Sequence, residues 1–197
     1  MRALALFLGL LAAPAAAQEA ELARAKAIVA GSCFLCHGMQ GEAASELYPR
    51  LAAQNAAYIA KQLANFKSGD RQSKTMQPMV AALAQEDMRA LGLYFSRQKS
   101  APHAPTDAGL AARGREIYGK GGAATGVAAC IGCHGERGQG SEALPRLAGQ
   151  VPSYLAAQIR SFGTRARTND NAVMHTIAAK MTAAEIRAVA EYLGGLD

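Results

Sequence analysis

The chain has 197 residues, of which 50% are apolar and 6% aromatic, and it contains no Trp. Its formal net charge is +6, with 10 basic and 7 acidic residues between positions 18 and 104 and 10 and 8 between positions 105 and 197. A nucleic-acid-binding protein concentrates its basic residues on one face or in one run, so this even distribution argues against that class. The length is sufficient for one ordinary domain or two small ones.

Residues 1–17 have the pattern of a secretory signal peptide. Arg2 precedes a short apolar stretch, and Ala15 and Ala17 are the small residues expected before cleavage at Gln18. An uncleaved N-terminal anchor is the alternative, but the small-residue exit favours cleavage and the stretch is short for a bilayer span. We therefore predict an exported, periplasmic mature chain.

Three helices are predicted in the first half, over about residues 20–29, 55–67 and 85–98. Tyr58, Gln62 and Phe66 fall four residues apart, on one face of the second helix. The first helix leads into the stretch GSCFLCHGMQG, in which two cysteines and a histidine stand close together.

A linker over residues 98–107, QKSAPHAPTD, follows the third helix. His103 lies in this linker and is expected to be solvated. Three further helices are predicted over about residues 108–118, 152–162 and 182–193, with Pro152 suited to a first helical turn. No segment alternates as a strand would, so the prediction is an all-α protein.

The second half of the chain repeats the first. CFLCHG at Cys33 matches CIGCHG at Cys130 at an offset of 97, and the run YPRLAAQ at Tyr48 matches LPRLAGQ at Leu144 at an offset of 96. Because the order is kept and the offset drifts by only two residues, we interpret the chain as a tandem duplication. The predicted organisation is a signal peptide (1–17), a first three-helix domain (18–97), a linker (98–107) and a second three-helix domain (108–197).

All four cysteines belong to two Cys-x-x-Cys-His motifs. A zinc site would be only half formed in each repeat, a redox dithiol would need a βαβ setting, and a disulfide would leave the adjacent histidine unexplained. Covalent haem attachment explains every residue, because two thiols on one helical turn reach the porphyrin vinyl groups and the imidazole binds the iron. The predicted thioether positions are Cys33, Cys36, Cys130 and Cys133, and the predicted proximal ligands are His37 and His134.

The sixth iron ligand is predicted to be methionine, which raises the reduction potential. MQPMVAAL aligns with MHTIAAKM, so that Met76 and Met174 are the sulfurs present in both repeats, 39 and 40 residues after their histidines. Both are expected in irregular segments. Met79 remains the main competitor for the first haem, and His175 is disfavoured because its counterpart is Gln77.

The two motifs, the duplicated module, the methionines and the PRLAGQ…Y…Q runs resemble the dihaem cytochrome c4 family over nearly the whole mature chain. The resemblance implies two class I cytochrome c domains and two haem c groups, with His and Met ligands and with propionates near the interface between the domains. It implies an electron-transfer protein rather than an enzyme, which carries electrons from a membrane cytochrome complex towards a terminal oxidase. Peripheral association with the membrane is compatible with this role. No nucleic acid or small-molecule substrate is expected.

Two points stay open at this stage. Arg50 and Arg146, in the PRLA runs, either pair with haem propionates or are surface residues beside a turn. The same motifs also occur in the cytochrome subunit of a periplasmic dehydrogenase of the flavocytochrome c type. A dihaem peroxidase is a further alternative, which would need one haem iron with an open or switchable coordination position.

Overall fold

The computed structural model describes residues 12–104 and 106–197, and side chains from residue 16 onwards. Residues 1–11 of the predicted signal peptide lie outside the described residues. The first helix contains the rest of that segment and begins at Ala12, earlier than the predicted start near residue 20.

The described residues form helices and irregular segments, with no strand and one isolated bridge between Gly122 and Val127. None of the helices in this part of the chain is long and apolar enough to cross a membrane. In the first half the helices are α1 (Ala12–Ile28), α2 (Phe34–His37), α3 (Ala56–Ser68), α4 (Met76–Val80) and α5 (Gln85–Ser96). In the second half they are α6 (Ala108–Lys120), α7 (Ile131–His134), α8 (Pro152–Gly163), α9 (Val173–Ala178) and α10 (Ala183–Gly194).

Apart from the start of α1, the six predicted helices have ends within two residues of the observed ones. Apolar periodicity and helix-ending residues mark them, and local capping adds to their stability. At α10, Thr182 and Glu185 exchange hydrogen bonds of 2.8 and 3.2 Å between backbone N–H and side chain. The four short helices are too short for periodicity to reveal them.

Each half has its own apolar core. In the first half, Val29, Ile59, Leu91 and Phe95 of the α1, α3 and α5 region are buried together. The equivalent cluster in the second half joins α6, α8 and α10. At the crossing of α6 and α10, a Cβ on Gly114 would lie 1.9 Å from the carbonyl oxygen of Ala188, so only glycine allows this close approach.

The two halves differ in how the first helix reaches the cysteine motif. In the first half, α1 continues directly into the motif through a π-helical turn, Val29–Cys33. In the second half, α6 ends at Lys120 and the loop 121–129 intervenes. The two halves therefore differ in the segment that connects the first helix to the cysteine motif.

The halves exchange hydrogen bonds across a pseudo-two-fold axis. The Gln54 side chain donates to the carbonyl of Arg146 (2.9 Å) and accepts from its N–H (2.8 Å). In the equivalent position, Gln150 donates to the carbonyl of Arg50 (2.8 Å) and accepts from its N–H (2.7 Å). Both glutamine side chains are buried. The interface is thus self-complementary, as in a symmetric dimer.

The linker packs against the second half. The N–H of His103 donates to the carbonyl of Gly194 (2.8 Å), and its Nε2 is buried without a partner among the described residues. Burial and the nearby Arg50 lower the pKa of the His103 imidazole. His103 is thus half-buried rather than fully solvated as predicted, because the linker is held by a backbone contact that the sequence does not reveal.

We predict that Gln54→Ala and Gln150→Ala each lower the free energy of unfolding of the holoprotein by about 1–3 kcal/mol, because each leaves a backbone N–H and carbonyl unpaired in the interface. Denaturant titration measures the change, and Gln85→Ala, at an exposed glutamine, is the matched control. Equal stability of the Gln54→Ala and Gln85→Ala variants would contradict this role.

Candidate functional site

Each Cys-x-x-Cys-His motif ends in a single helical turn, α2 or α7. Residues three positions apart lie on the same side of such a turn, so the two thiols of each motif point the same way. The turn ends after the histidine because Gly38 (φ 79°) and Gly135 (φ 80°) adopt conformations that other residues rarely reach. Cys33 and Cys130 pack against the two apolar cores.

The thiols have the properties of attachment points rather than of reactive dithiols. Burial raises the pKa of Cys33 and raises that of Cys130 to about 11, so both stay protonated at neutral pH. Redox-active cysteines show the opposite shift. None of the four cysteines forms a disulfide, and the described residues contain no group of three or more His, Cys, Asp or Glu side chains that could hold a metal ion.

The two histidines are buried and fixed by the same type of hydrogen bond. His37 Nδ1 lies 2.9 Å from the carbonyl oxygen of Pro49, and His134 Nδ1 lies 3.3 Å from that of Pro145. Because a carbonyl can only accept, Nδ1 carries the proton and the lone pair is on Nε2. Burial lowers the pKa of both imidazoles, which favours the neutral form that binds metals.

The two methionines singled out by the repeat lie at equivalent places. Met76 is the first residue of α4 and Met174 the second residue of α9, and both are half-buried. The expectation that they lie in irregular segments is wrong, because a short helix forms at each. The N–H of Met76 donates to Ser73 Oγ (3.1 Å), whereas the N–H of Met174 donates to Asp170 Oδ2 (2.6 Å).

Three other methionines of the first half, and His175 in the second, have different surroundings. Met79 and Met39 are 44% and 37% exposed, and Met88 is buried in the apolar core. His175 Nδ1 donates to the carbonyl of Phe162 at 3.0 Å, so this ring ties α9 to the end of α8. These surroundings leave the choice of Met76 and Met174 as a prediction.

The arginines of the two PRLA runs differ from one another. The Arg50 guanidinium donates to the carbonyls of Ala101 and Gly149, so it joins its own module to the linker and the second half. Arg146 faces Asp197 at 3.9 Å, and its Nε is buried without a partner among the described residues. Of these two arginines, Arg146 is the one with a buried donor that has no partner among the described residues.

Sequence reasoning missed two buried arginines, Arg71 and Arg167, which are each 8% exposed. Arg71 donates to Tyr154 OH at 2.8 Å, and Arg167 donates to Tyr58 OH at 3.0 Å, so each reaches across the interface. Tyr58 and Tyr154 are thus hydrogen-bond acceptors in the interface. The repeat could have identified them, because Arg71 and Arg167 are 96 residues apart, the same offset as the two PRLA runs.

The residues of each half fit a covalently bound haem. Each half supplies two cysteines on one turn and a buried histidine with a fixed Nδ1 proton, followed by a methionine. The second half adds the unused Nε of Arg146. A zinc site would leave the methionines without a role, and a dithiol would leave both the histidine and the methionine without one.

Comparison with known proteins gives matches in both halves. The family model described as "Cytochrome c" matches residues 111–197, and the model described as "Cytochrome C oxidase, cbb3-type, subunit III" matches residues 20–95. Cytochrome c4 from Thiocapsa roseopersicina is 38% identical over 187 residues, covering 93% of this chain and 96% of that protein.

Two further similarities bear on function. The crystal structure of reduced recombinant cytochrome c4 from Pseudomonas stutzeri matches with a TM-score of 0.82 at 34% identity, covering 88% of this chain and 97% of that one. The thiosulfate dehydrogenase electron acceptor of Thiomonas intermedia (strain K12) is 38% identical over 169 residues, covering 83% of this chain and 78% of that protein. Together with the helical structure, these matches confirm the prediction of tandem all-α domains.

The contacts of Asp170 generate a prediction about α9. Its carboxylate accepts the N–H groups of Ala172 (3.2 Å), Met174 (2.6 Å) and His175 (3.2 Å). We expect Asp170→Ala to cost about 0.5–2 kcal/mol, as for the loss of a helix cap, and to open α9 locally. Amide hydrogen exchange of the α9 residues measures this opening.

Asp107→Ala is the matched control, because Asp107 caps the distant helix α6 through the N–H of Leu110 (2.9 Å). This control should lose similar stability while the exchange of α9 stays unchanged. Equal protection of α9 in both variants would show that Asp170 does not order the segment around Met174.

Proposed function

The chain belongs to the cytochrome c4 family and carries two covalently bound haem c groups, and we propose from this premise that it shuttles single electrons between respiratory complexes in the periplasm. Members of this family are electron-transfer proteins, not enzymes. The observation that carries the proposal is the same arrangement in both halves: a Cys-x-x-Cys-His turn whose buried histidine donates through Nδ1 to a proline carbonyl.

We propose that residues 18–97 and 108–197 are the two haem modules and that residues 98–107 link them. Cys33 and Cys36 form the thioethers of the first haem, and Cys130 and Cys133 those of the second. The proposed axial ligands are His37 and Met76 for the first iron, and His134 and Met174 for the second.

The bound haem groups supply a one-electron ferric/ferrous couple. The chain's own residues restrict the haem groups to electron transfer. The carbonyls of Pro49 and Pro145 fix the orientation of the histidines, and the half-buried methionines fill the remaining iron position in the proposed arrangement. With both axial positions occupied by the protein, little rearrangement accompanies electron transfer and no position is left for a substrate.

The periplasmic location rests on the sequence of residues 1–17, which we propose is a cleaved signal peptide. The proposed donor is a quinol-oxidising membrane cytochrome complex and the proposed acceptor a terminal oxidase. The mildly cationic, evenly charged surface suits transient docking to redox partners, because long-range steering by charge speeds association.

A second candidate role is supported by one specific similarity. A relative at 38% identity is a thiosulfate dehydrogenase electron acceptor. This chain would then take electrons from a periplasmic dehydrogenase of the same general kind as the cytochrome-subunit alternative predicted from the sequence. Both roles use the same two haems and differ only in the donor.

Redox titration of the holoprotein tests the ligand proposal. We expect Met76→Ala and Met174→Ala each to lower the potential of one haem by at least about 59 mV, a tenfold change for a one-electron couple, because sulfur ligation favours ferrous iron. Met79→Ala is the matched control and should leave both potentials unchanged. A lowered potential in Met79→Ala, with Met76→Ala unchanged, would assign Met79 as the first ligand.

Stopped-flow reduction tests the donor. We expect the oxidised holoprotein to be reduced faster by a purified quinol-oxidising cytochrome complex with quinol than by thiosulfate dehydrogenase with thiosulfate. Each donor with its substrate but without this protein gives the background. Rapid reduction by thiosulfate dehydrogenase alone would replace the respiratory role with the second candidate role.

A further inference from the structure

The first module exposes apolar side chains around its cysteine motif, whereas the second module does so much less. Among the described residues, the exposed large apolar side chains are Phe34, Leu35, Met39, Leu47 and Met79 in the first module and Val173 in the second. Leu35 and Leu47 are the most exposed of them, at 68% and 82%. Exposed apolar side chains that gather in one place mark interaction sites, whereas isolated ones are normal.

Leu35 and Leu47 belong to the same part of the surface. The N–H of Ala44 donates to the carbonyl of Cys36 at 3.0 Å, which folds the loop that leads to Leu47 back onto α2. Leu35 lies in α2, directly before Cys36. The two leucines are therefore held on either side of one backbone contact, although they are twelve positions apart in the sequence.

Phe34 and Leu35 stand between the two cysteines of the first motif. An α-helix turns by about 100° per residue, so these two side chains project away from the side of the turn that carries the thiols of Cys33 and Cys36. The apolar surface is therefore distinct from the side to which the proposed haem is attached. A molecule that covers Leu35 nevertheless contacts the residue next to a proposed thioether, which brings it close to the first haem.

The equivalent positions of the second module have lost this apolar character. At the repeat offsets of 97 and 96, Leu35 corresponds to Gly132 and Leu47 corresponds to Ala143. The cysteines and the histidine of the motif are present in both modules, so the fold and the haem motif do not require the two leucines. Their presence in the first module therefore calls for a role that the second module does not share.

This apolar surface has an acidic rim, although the chain is basic overall. Between residues 27 and 49 the chain contains Glu42 and Glu46 but no Lys or Arg, against a formal net charge of +6 for the whole sequence. Both glutamates are exposed, and neither takes part in the ion pairs of the described residues. Arg50, which follows this segment, donates to backbone carbonyls. The carboxylates are thus available to a partner with basic side chains.

We propose that Phe34, Leu35 and Leu47, with Glu42 and Glu46 at their rim, form the docking surface for a redox protein whose contact face has an apolar centre and a basic rim. This inference rests on the proposed function. One electron passes between the first haem and the partner's redox group, so that one is oxidised as the other is reduced and no bond changes. A second copy of the chain does not fit, because a symmetric contact would place the like-charged rims against each other.

Two small oxidants test the surface without the natural partner. Tris(phenanthroline)cobalt(III) is a cation with an apolar periphery, and hexacyanoferrate(III) is a polar anion. Each takes one electron from a ferrous haem, which leaves ferric haem and cobalt(II) or hexacyanoferrate(II). Stopped-flow oxidation of the reduced holoprotein gives the rate constant for each reagent, after the haem content of every variant has been measured.

Glu46→Lys tests the charge of the rim. We expect oxidation by the cobalt cation to slow by about threefold to tenfold at low ionic strength and oxidation by the anion to become faster, with both effects fading in salt. Opposite changes for the two reagents separate an electrostatic effect from damage to the fold. Glu142→Lys is the matched control, because it reverses the charge at the equivalent exposed position of the second module, and it should change both rates less.

The double variant Leu35→Ala with Leu47→Ala tests the apolar centre. We expect oxidation by the cobalt cation to slow by about tenfold at every ionic strength, because apolar contact area with the reagent is lost, while oxidation by the anion stays unchanged. Val173→Ala is the control, since it shortens the exposed apolar side chain of the second module. It should leave both rates as in the wild type.

Three results would decide against these assignments. Equal cobalt rates in the double-alanine variant and Val173→Ala, or equal effects of Glu46→Lys and Glu142→Lys, would overturn the docking surface. A wild-type dimer in sedimentation velocity that disappears in the double-alanine variant would assign the surface to a second copy and overturn the redox partner. Protein without covalently attached haem would instead overturn the proposed function.

Discussion

The hydrogen bond from the buried histidine to a proline carbonyl is the contact on which the rest of this structure depends. The carbonyl of Pro49 fixes the ring of His37, and the backbone of the next residue, Arg50, exchanges hydrogen bonds with the Gln150 side chain of the other module. One short loop therefore orients the proposed iron ligand on one side and forms the interface on the other. The second module repeats the arrangement with Pro145 and Arg146. The same loop therefore links the packing of the two modules to the orientation of the histidine ring.

The duplication is symmetric in its architecture and asymmetric in its electrostatics. Asp170 anchors the segment of Met174 with a carboxylate, whereas the hydroxyl of Ser73 serves Met76. Arg50 donates to carbonyl groups of its own module, the linker and the second module, whereas Arg146 keeps a buried Nε without a partner among the described residues. Nearby charges change the relative stability of ferric and ferrous iron, so these differences make the two haem sites inequivalent although the fold treats them alike.

A module of fewer than a hundred residues buries little apolar surface on its own. Here each module has a small cluster between its first and last helices, and one cysteine of each motif packs against it. The interface between the modules buries two further side chains, Arg71 and Arg167, which form no ion pair with a carboxylate of the described residues. Cofactor, core and interface are therefore parts of one arrangement rather than separate features.

The sequence by itself determined the six long helices, the duplication, the haem motifs and the family, because periodicity, repetition and a motif with a single chemical explanation are local or alignable features. It did not reveal the short helices at Met76 and Met174, which lack periodicity, or the half-buried position of His103. Only the tertiary structure decided the partners of Pro49, Gln54 and Arg71, since these depend on which surfaces meet across the interface. The repeat marked such residues as equivalent, but their roles arise from packing one module against the other.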